Sequence, residues 1–164
     1  MSIREEFFAL TNDQLKTNNI YIRPIKDDYD IWYVTEECRL KLGQDEFVNR
    51  AGFSIGRAYL NPDDNIPCVI CLTSGERIGY IVFRKWFAGD AYSFSFYLDA
   101  DWQGKGYGKM TLKLAIKILK TANPTMPIKL AAEVANTLAH SLYKMAGFVM
   151  LDEKDGDDLV FEYK

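Results

Sequence analysis

The sequence predicts a mixed α/β (α+β) domain of about seven strands and about four helices. Stretches that alternate apolar and polar residues, as strands do, are interspersed with stretches whose apolar residues recur at helical spacing. The connections between them are short, and no repeat or long linker divides the chain. With 164 residues, 48% of them apolar, the chain can bury a core without a disulfide or a structural metal. We therefore expect one domain over residues 1–164.

The elements begin with a strand and two helices. Residues 20–25 (IYIRPI) alternate as a strand does, and Pro24 restricts that strand to an edge or an end. Residues 28–40 and 44–60 have the periodicity of helices. The turn-forming residues 61–64 (NPDD) end the second helix.

Three strands follow, and then a glycine-rich segment. Residues 66–72 and 77–86 are predicted to form a hairpin, because residues 73–76 (TSGE) suit a tight turn. Residues 92–98 form a further strand that is unusually aromatic. The remaining elements are a helix, a strand, a second helix and a final hairpin, predicted over residues 110–120, 128–134, 136–145, 148–151 and 159–163. The polar run at 152–158 is expected to separate the last two strands.

Composition and charge exclude several classes of function. The chain has 20 basic and 23 acidic side chains, a formal net charge of −3 and a pI near 5.2. Both signs are mixed along the chain, so no nucleic-acid partner is expected. The first residues contain no apolar run of secretory length, and no membrane span is predicted. We therefore expect a cytoplasmic protein that does not bind membranes.

The three cysteines are predicted to be buried free thiols. Cys68 and Cys71 form a Cys-x-x-Cys inside a predicted strand, and Cys38 is distant in sequence. No second Cys or His pair completes a metal site, so no metal is expected.

The segment between the aromatic strand and the next helix is the most informative. Gly104, Gly106 and Gly108 occupy alternate positions before the helix, where backbone N–H groups can converge on an anion such as a pyrophosphate. A dinucleotide-binding G-x-G-x-x-G motif is excluded, because Lys109 occupies the third glycine position. A nucleotide P-loop is excluded because Met110 stands in place of Ser or Thr.

Two motifs in this half of the chain resemble one family. The segment from Gln103 to Gly108 (QGKGYG) resembles the Arg/Gln-x-x-Gly-x-Gly/Ala pyrophosphate loop of the GNAT superfamily of acetyl-CoA-dependent N-acetyltransferases. A second segment looks like the superfamily's later strand-to-helix segment, at Asn136, Ala139, Leu142, Tyr143, Gly147 and Phe148. The resemblance covers residues 76–164 closely and the earlier strand-helix-helix-strand part more loosely.

The resemblance implies the GNAT fold, in which two parallel strands of a mixed central sheet splay apart, and acetyl-CoA as the cosubstrate. Backbone amides of residues 103–108 would bind its pyrophosphate, with Lys105 and Lys109 adding positive charge. The pantetheine arm would lie along the strand that ends at Leu98, where the N–H of Leu98 or a neighbour would polarise the acetyl carbonyl. The cosubstrate-binding residues implied in this way are Phe96, Tyr97, Leu98, Gln103, Gly104, Lys105, Gly106, Tyr107, Gly108, Lys109, Asn136 and Tyr143.

The resemblance also implies catalytic roles. Tyr143 matches the family's general acid, which protonates the leaving thiolate. Asn136 matches a residue that contacts the cofactor arm, and it equally suits a helix N-cap. Glu133, on the strand before Asn136, is the candidate general base. The alternatives that stay open for the base are Asp99, a water relay through Ser93 or Ser95, and the lone histidine, His140.

The acceptor is predicted to be a primary amine of a small molecule. Residues 44–48, 57–59, Pro62 and residues 79–80 resemble a bacterial clade of polyamine or diamine (spermidine or spermine) N-acetyltransferases. Glu37 and Glu46 are candidate carboxylates for a polycation. The aromatic strand departs from that clade because it has no carboxylate, and its wall would suit a less charged amine equally well.

Two alternative functions and one candidate assembly stay open. The acceptor could be a peptide or protein amine, or the chain could be a CoA-binding sensor without turnover. A homodimer is a candidate assembly, because Trp86, Phe87 and Trp102 would supply an aromatic interface.

Overall fold

The computed structural model describes residues 1–40 and 51–164. Within these ranges the strands are β1 (Ile20–Pro24), β2 (Asn65–Leu72), β3 (Arg77–Lys85), β4 (Tyr92–Leu98), β5 (Lys129–Ala132), β6 (Phe148–Asp155) and β7 (Asp158–Tyr163). The α-helices are α1 (Ile3–Phe8), α2 (Asp28–Trp32), α3 (Ala51–Leu60), α4 (Tyr107–Ala122) and α5 (Thr137–Met145). Short 3-10 turns lie at Asn12–Leu15 and Ala100–Trp102, and a π turn at Tyr33–Glu37. The predicted mixed α/β class with seven strands is confirmed.

The strands form two antiparallel sheets that meet at one point. The first sheet has the order β1-β2-β3-β4 and the second the order β5-β7-β6. Tyr92, at the start of β4, forms a parallel bridge with Ile128, and its N–H donates to the Pro127 carbonyl at 2.8 Å. No further pairing between β4 and β5 is found in the described part of the chain. The two parallel strands therefore splay apart after Tyr92, as the resemblance implied.

The first sheet buries both of its faces. On one face, which we call the α4 face, Ile81, Phe94 and Leu98 pack with the apolar stripe of α4. On the opposite face, which we call the α3 face, Tyr80 and Tyr97 pack with the π turn and α3. This separation follows from the alternation of side chains along each strand. The gap between β4 and β5 is thus bordered by two differently covered surfaces.

The start and the end of the chain differ from the predicted secondary structure. Helix α1 was not predicted; Ser2 and Glu5 form a capping box at its start, and this pattern is visible in the sequence. The polar run at 152–158 does not separate the last two strands but belongs to them, because Gly156, at φ +61°, forms the turn itself. Cross-strand pairing thus continues past the apolar positions.

The helix predicted over residues 28–40 is also shorter than expected. Helix α2 ends at Trp32, and the chain passes into the π turn. Asp30 on α2 is fully buried and accepts hydrogen bonds from Arg23 (2.6 and 2.9 Å) and Arg77 (2.7 Å). Its pairing fixes α2 against β1 and β3.

The cysteines are free and buried, as predicted. Cys68 and Cys71 lie on opposite faces of β2, one in each core, so their thiols do not converge. Burial raises the pKa of both thiols. Of the aromatic residues proposed for an interface, Phe87 is exposed and Trp102 half-buried, but Trp86 is buried in a small core with Val160.

The described ranges contain no helix that is both long and apolar enough to span a membrane. They also contain no cluster of three or more His, Cys, Asp or Glu side chains with the arrangement of a metal site.

Candidate active site

The loop after β4 is folded back onto the end of the strand. The Gln103 side-chain Nε2 donates to the Leu98 carbonyl at 2.9 Å. The buried Asp99 carboxylate accepts the N–H groups of Asp101 and Arg39, each at 2.9 Å. Asp99 is therefore committed to shaping the loop, which argues against the alternative that made it the general base. The side chain of Gln103 has a structural contact as well as its predicted place in the loop.

The glycines of this loop form the N-terminus of α4. Gly104 has φ +75°, and Gly106, the N-cap residue, has φ +90°; L side chains disfavour this region of φ. A Cβ at either position would meet no heavy atom within 4 Å. The first bond of the helix runs from the Met110 N–H to the Gly106 carbonyl at 3.2 Å. The N–H groups of residues 107–109 thus have no acceptor within the helix.

This helix terminus has the properties of an anion site. Helix α4 is 16 residues long, and the positive end of its dipole and its unpaired N–H groups face the open space beside the glycines. Lys105 and Lys109 are both exposed. The Lys105 ammonium lies 5.2 Å from the ring centroid of Trp102, whose ring is edge-on to Tyr107 at 5.6 Å. The residues present therefore fit a pyrophosphate, with backbone donors at the centre and lysines at the rim.

The backbone of β4 has one edge that faces the gap. The Asp99 N–H donates to the Ile78 carbonyl and the Trp86 N–H to the Ala91 carbonyl, each at 2.8 Å, so the odd-numbered residues of β4 direct their polar groups toward β3. The even-numbered residues direct theirs toward β5, as Tyr92 does. Past Tyr92, where β5 has diverged, this alternation places the N–H groups of Phe96 and Leu98 in the gap.

Tyr97 does not face the gap. Its hydroxyl donates to the Val34 carbonyl at 2.8 Å and accepts the Ala51 N–H at 3.2 Å. Its side chain is buried on the α3 face, and its backbone is paired with Tyr80 of β3. Strand alternation thus turns the Tyr97 side chain away from the side of the cosubstrate loop, and its predicted contact with the cosubstrate stays a prediction.

Tyr143 lies on α5 beside the second sheet. Its half-buried ring contacts the rings of Phe148 and Phe161 at centroid distances of 5.9 and 5.5 Å. Burial raises the pKa of Tyr143 to about 12, while the positive charge of Arg84 acts in the opposite direction. The hydroxyl is therefore protonated at neutral pH and available as a donor.

The segment between β5 and α5 holds the other predicted residues. Asn136 is the N-cap of α5, and its Oδ1 accepts the Ala139 N–H at 3.3 Å. The Glu133 side chain is exposed just after β5. The His140 Nε2 lies 2.9 Å from the Glu133 carbonyl, so that nitrogen carries a hydrogen and donates it. His140 also packs on Phe161, and these contacts give it a structural role.

Arg84 is a residue that the sequence analysis missed. It lies on β3 opposite Ser93, and its Nη1 donates to the Ser95 Oγ at 2.8 Å. Its side chain is half-buried on the α3 face, beside the gap. An arginine at an inward-facing position of a mostly apolar strand was the available signal, because strand periodicity alone assigns that side chain to a covered face.

The predicted acceptor carboxylates are only partly described. Glu37 is exposed at the end of the π turn, next to Glu36. Glu46 lies outside the described residues.

The chain is similar to acetyltransferases in sequence and in structure. Residues 27–148 match the model of the Acetyltransferase (GNAT) family, and no curated protein sequence matches the chain significantly. Among solved structures, an acetyltransferase from Agrobacterium tumefaciens has a TM-score of 0.73 at 17% identity, covering 92% of this chain and 93% of that one. An aminoglycoside acetyltransferase in complex with coenzyme A and kanamycin has a TM-score of 0.68 at 19% identity, covering 87% and 92%. A spermidine N-acetyltransferase chimera from Vibrio cholerae and hSSAT has a TM-score of 0.61 at 16% identity, covering 88% and 94%. At identities this low, the structural similarity shows a common fold.

Proposed function

This chain belongs to the GNAT family of acetyltransferases, and we propose that it transfers an acetyl group from acetyl-CoA to a primary amine of a small molecule. The observation that carries the proposal is the position of the glycine loop. Its helix terminus opens at the end of β4, next to the unpaired edge of that strand, and Tyr143 of α5 lies close enough to Arg84 of β3 for that charge to act on it. These positions support a site made of an anion site, a row of backbone donors and a protonated tyrosine.

The loop residues are proposed to hold the pyrophosphate of the cosubstrate. The N–H groups of residues 107–109 would donate to its oxygens, and Lys105 and Lys109 would add charge at the rim. Gln103 supports this arrangement because its contact with the Leu98 carbonyl holds the loop against β4. Asn136 caps α5, and a cofactor contact by its remaining hydrogen-bonding atoms stays a prediction.

The proposed reaction is acetyl transfer from a thioester to an amine, and its bond and proton changes balance. Acetyl-CoA supplies a thioester carbonyl, which the neutral amine attacks; the C–N bond forms, the C–S bond breaks, and the amine loses the proton that the thiolate gains. We assign the polarising hydrogen bond to the N–H of Leu98 or Phe96, both on the gap edge of β4. One such oxyanion contact contributes about 3 kcal/mol to the transition state.

Tyr143 is proposed as the donor to the leaving thiolate. Its raised pKa keeps the proton in place before the reaction. The positive charge of Arg84 favours the tyrosinate once the proton has moved. Glu133 remains the candidate base for the amine, supported by its exposed position at the end of β5, which borders the gap.

The finer acceptor class implied by the sequence resemblance is a polyamine. Exposed Glu36 and Glu37 support it, and the structural likeness to a spermidine N-acetyltransferase chimera makes spermidine a natural first acceptor to assay. A peptide amine and a CoA-binding sensor without turnover are the competing outcomes of that assay. The positive charge of Arg84 on the α3 face favours a different small-molecule amine.

The proposed function is tested by measuring CoA-thiol release with a panel of amines, for the wild type and Tyr143→Phe. We expect the variant to lose about 100-fold or more in kcat without change in the acetyl-CoA dissociation constant. Tyr163→Phe is the matched control, because Tyr163 packs on the same Phe148 ring at 5.5 Å and should retain activity. Full turnover by Tyr143→Phe would make Tyr143 structural. Acetyl-CoA binding without turnover of any amine by the wild type would favour the sensor.

A further inference from the structure

The positive charge of Arg84, on the α3 face of β3 and β4, bears on the chemical class of the acceptor. Arg84 and Ser95 lie on this face, whereas α4 and its glycine loop cover the opposite face. With the cosubstrate proposed on the α4 side, a second substrate would approach the gap from the α3 side. A group on this face that reaches toward Tyr143 would therefore contact the acceptor.

Arg84 lacks an acidic partner in the described ranges. Its one hydrogen bond there is to the neutral hydroxyl of Ser95, and no described carboxylate oxygen lies within 4.0 Å of its guanidinium. This contrasts with Arg23 and Arg77, which both pair with Asp30. A half-buried guanidinium without an anion is costly, because burial removes water that would otherwise solvate its charge.

Two further observations point to a ligand at this position. Ser93 is paired with Arg84 across β3 and β4, and its fully buried Oγ has no hydrogen-bond partner among the described residues. Burial, and next to it the positive charge of Arg57, lower the pKa of Arg84, against smaller opposing effects of Tyr143 and Asp155, so the surroundings on balance disfavour the charged guanidinium. An anion would relieve both the buried charge and the repulsion between the two arginines.

We propose that the acceptor amine carries a carboxylate and that Arg84 binds this carboxylate on the α3 face of the sheet. This inference rests on the proposed function and narrows its acceptor. Arg84 would orient the substrate so that the amine reaches the gap while the carboxylate remains at the face of β3. A polyamine brings only positive charge to this face and would be repelled there.

The test compares pairs of acceptors that differ only by the carboxylate: ornithine with putrescine, lysine with cadaverine, and tyrosine with tyramine, with spermidine as a further acceptor. In the wild type, kcat/KM should favour the carboxylated member of at least one pair by about tenfold or more. Arg84→Gln should raise KM for that amino acid by a similar factor and leave KM for its decarboxylated partner unchanged, whereas any loss of kcat through Tyr143 should be the same for both members of the pair. Arg84→Lys should recover part of the preference, because it restores the charge without the planar fork.

Lys85→Gln is the matched control, because it removes one positive charge from the neighbouring position of β3, whose side chain projects to the other face. It should behave as the wild type does. The acetyl-CoA dissociation constant should be the same in all variants. A preference of the wild type for spermidine or for the decarboxylated amines would overturn the inference. So would an unchanged ratio of kcat/KM within each pair in Arg84→Gln, because an effect through Tyr143 alone lowers kcat for both members equally.

Calorimetric titration of the same amines in the presence of CoA separates this inference from the proposed function, because it requires no turnover. Carboxylate binding that depends on Arg84 in an inactive wild-type protein would overturn the proposed function and keep the inference. If the wild-type protein is active but Arg84→Gln leaves the affinity for the amino acid unchanged, the proposed function stands and the inference is overturned.

Discussion

Replacement of Gly106 by Ala perturbs the backbone of the anion site without adding a steric obstacle. Gly106 has φ +90° and ψ −5°, and a Cβ there would meet no heavy atom within 4 Å. The cost is therefore conformational, at about 1–2 kcal/mol for an L residue in the left-handed region. If the loop keeps its conformation, the free energy of unfolding falls by that amount. If the loop relaxes, the N–H groups of residues 107–109 lose their alignment and acetyl-CoA binds about 5- to 30-fold more weakly.

Two other glycines make this prediction specific. Gly156, at φ +61° and also in open space, lies in the distant β6–β7 turn, so Gly156→Ala should lower stability similarly but leave acetyl-CoA affinity unchanged. Gly108 is helical, and its Cβ would lie 3.9 Å from the Leu98 Cδ1, an ordinary contact. Gly108→Ala should therefore raise helix stability, by up to about 1 kcal/mol.

Isothermal titration with acetyl-CoA and thermal unfolding of the three variants measure both quantities. If Gly106→Ala changes neither affinity nor stability, the positive φ is not required and the reasoning about the loop is refuted. If Gly156→Ala weakens acetyl-CoA binding as much as Gly106→Ala does, the effect is a global one and the loop is not the binding site.

Two further predictions concern the fold around the site. Although burial raises it, hydrogen bonds from Arg23 and Arg77 hold the pKa of Asp30 well below its usual value. The resulting stability is present above about pH 4 and is lost as the pH falls toward the folded-state pKa. Asp30→Asn should lower the free energy of unfolding by about 3 to 5 kcal/mol at neutral pH and reduce its dependence on acid pH. Urea unfolding at neutral and acid pH measures both effects. An unchanged pH profile of stability would contradict the assignment of this dependence to Asp30. Gly79→Ala should lower the free energy of unfolding by about 1–3 kcal/mol, because its Cβ would lie 2.5 Å from a β4 carbonyl oxygen. The control Gly52→Ala, in open space on α3, should be neutral or stabilising. Equal stability of the two variants in thermal unfolding would contradict the close approach.

Several features of the fold and the site were predictable because they depend on neighbours in the chain. Strand β4 begins and ends as predicted, since its alternation is strong and the glycine loop follows at once. The Asn136 N-cap reading is confirmed, because a cap depends on the backbone only three residues away. The left-handed conformation of Gly104 and Gly106 likewise follows from local turn chemistry.

Other features were missed because distant contacts outweigh local pattern. The polar run at 152–158 forms strands because β7 supplies hydrogen-bond partners whatever the side chains are. Tyr97 was predicted to bind the cosubstrate with its neighbours on the strand, and only the register of β3 against β4 shows that its side chain lies on the α3 face. Arg84 lies in the strand predicted over residues 77–86 and was not singled out, because its role depends on which elements cover that face.

The sequence by itself determined the family, the mixed α/β class and the loop that can receive a pyrophosphate, since each is written in residues that are close together along the chain. Only the tertiary structure decided which edge of β4 is unpaired and which of its backbone donors face the gap. It also decided that Arg84 from β3 acts electrostatically on Tyr143 from α5. These relations depend on strand register and on the divergence of β4 from β5 after one bridge, and long-range packing sets both.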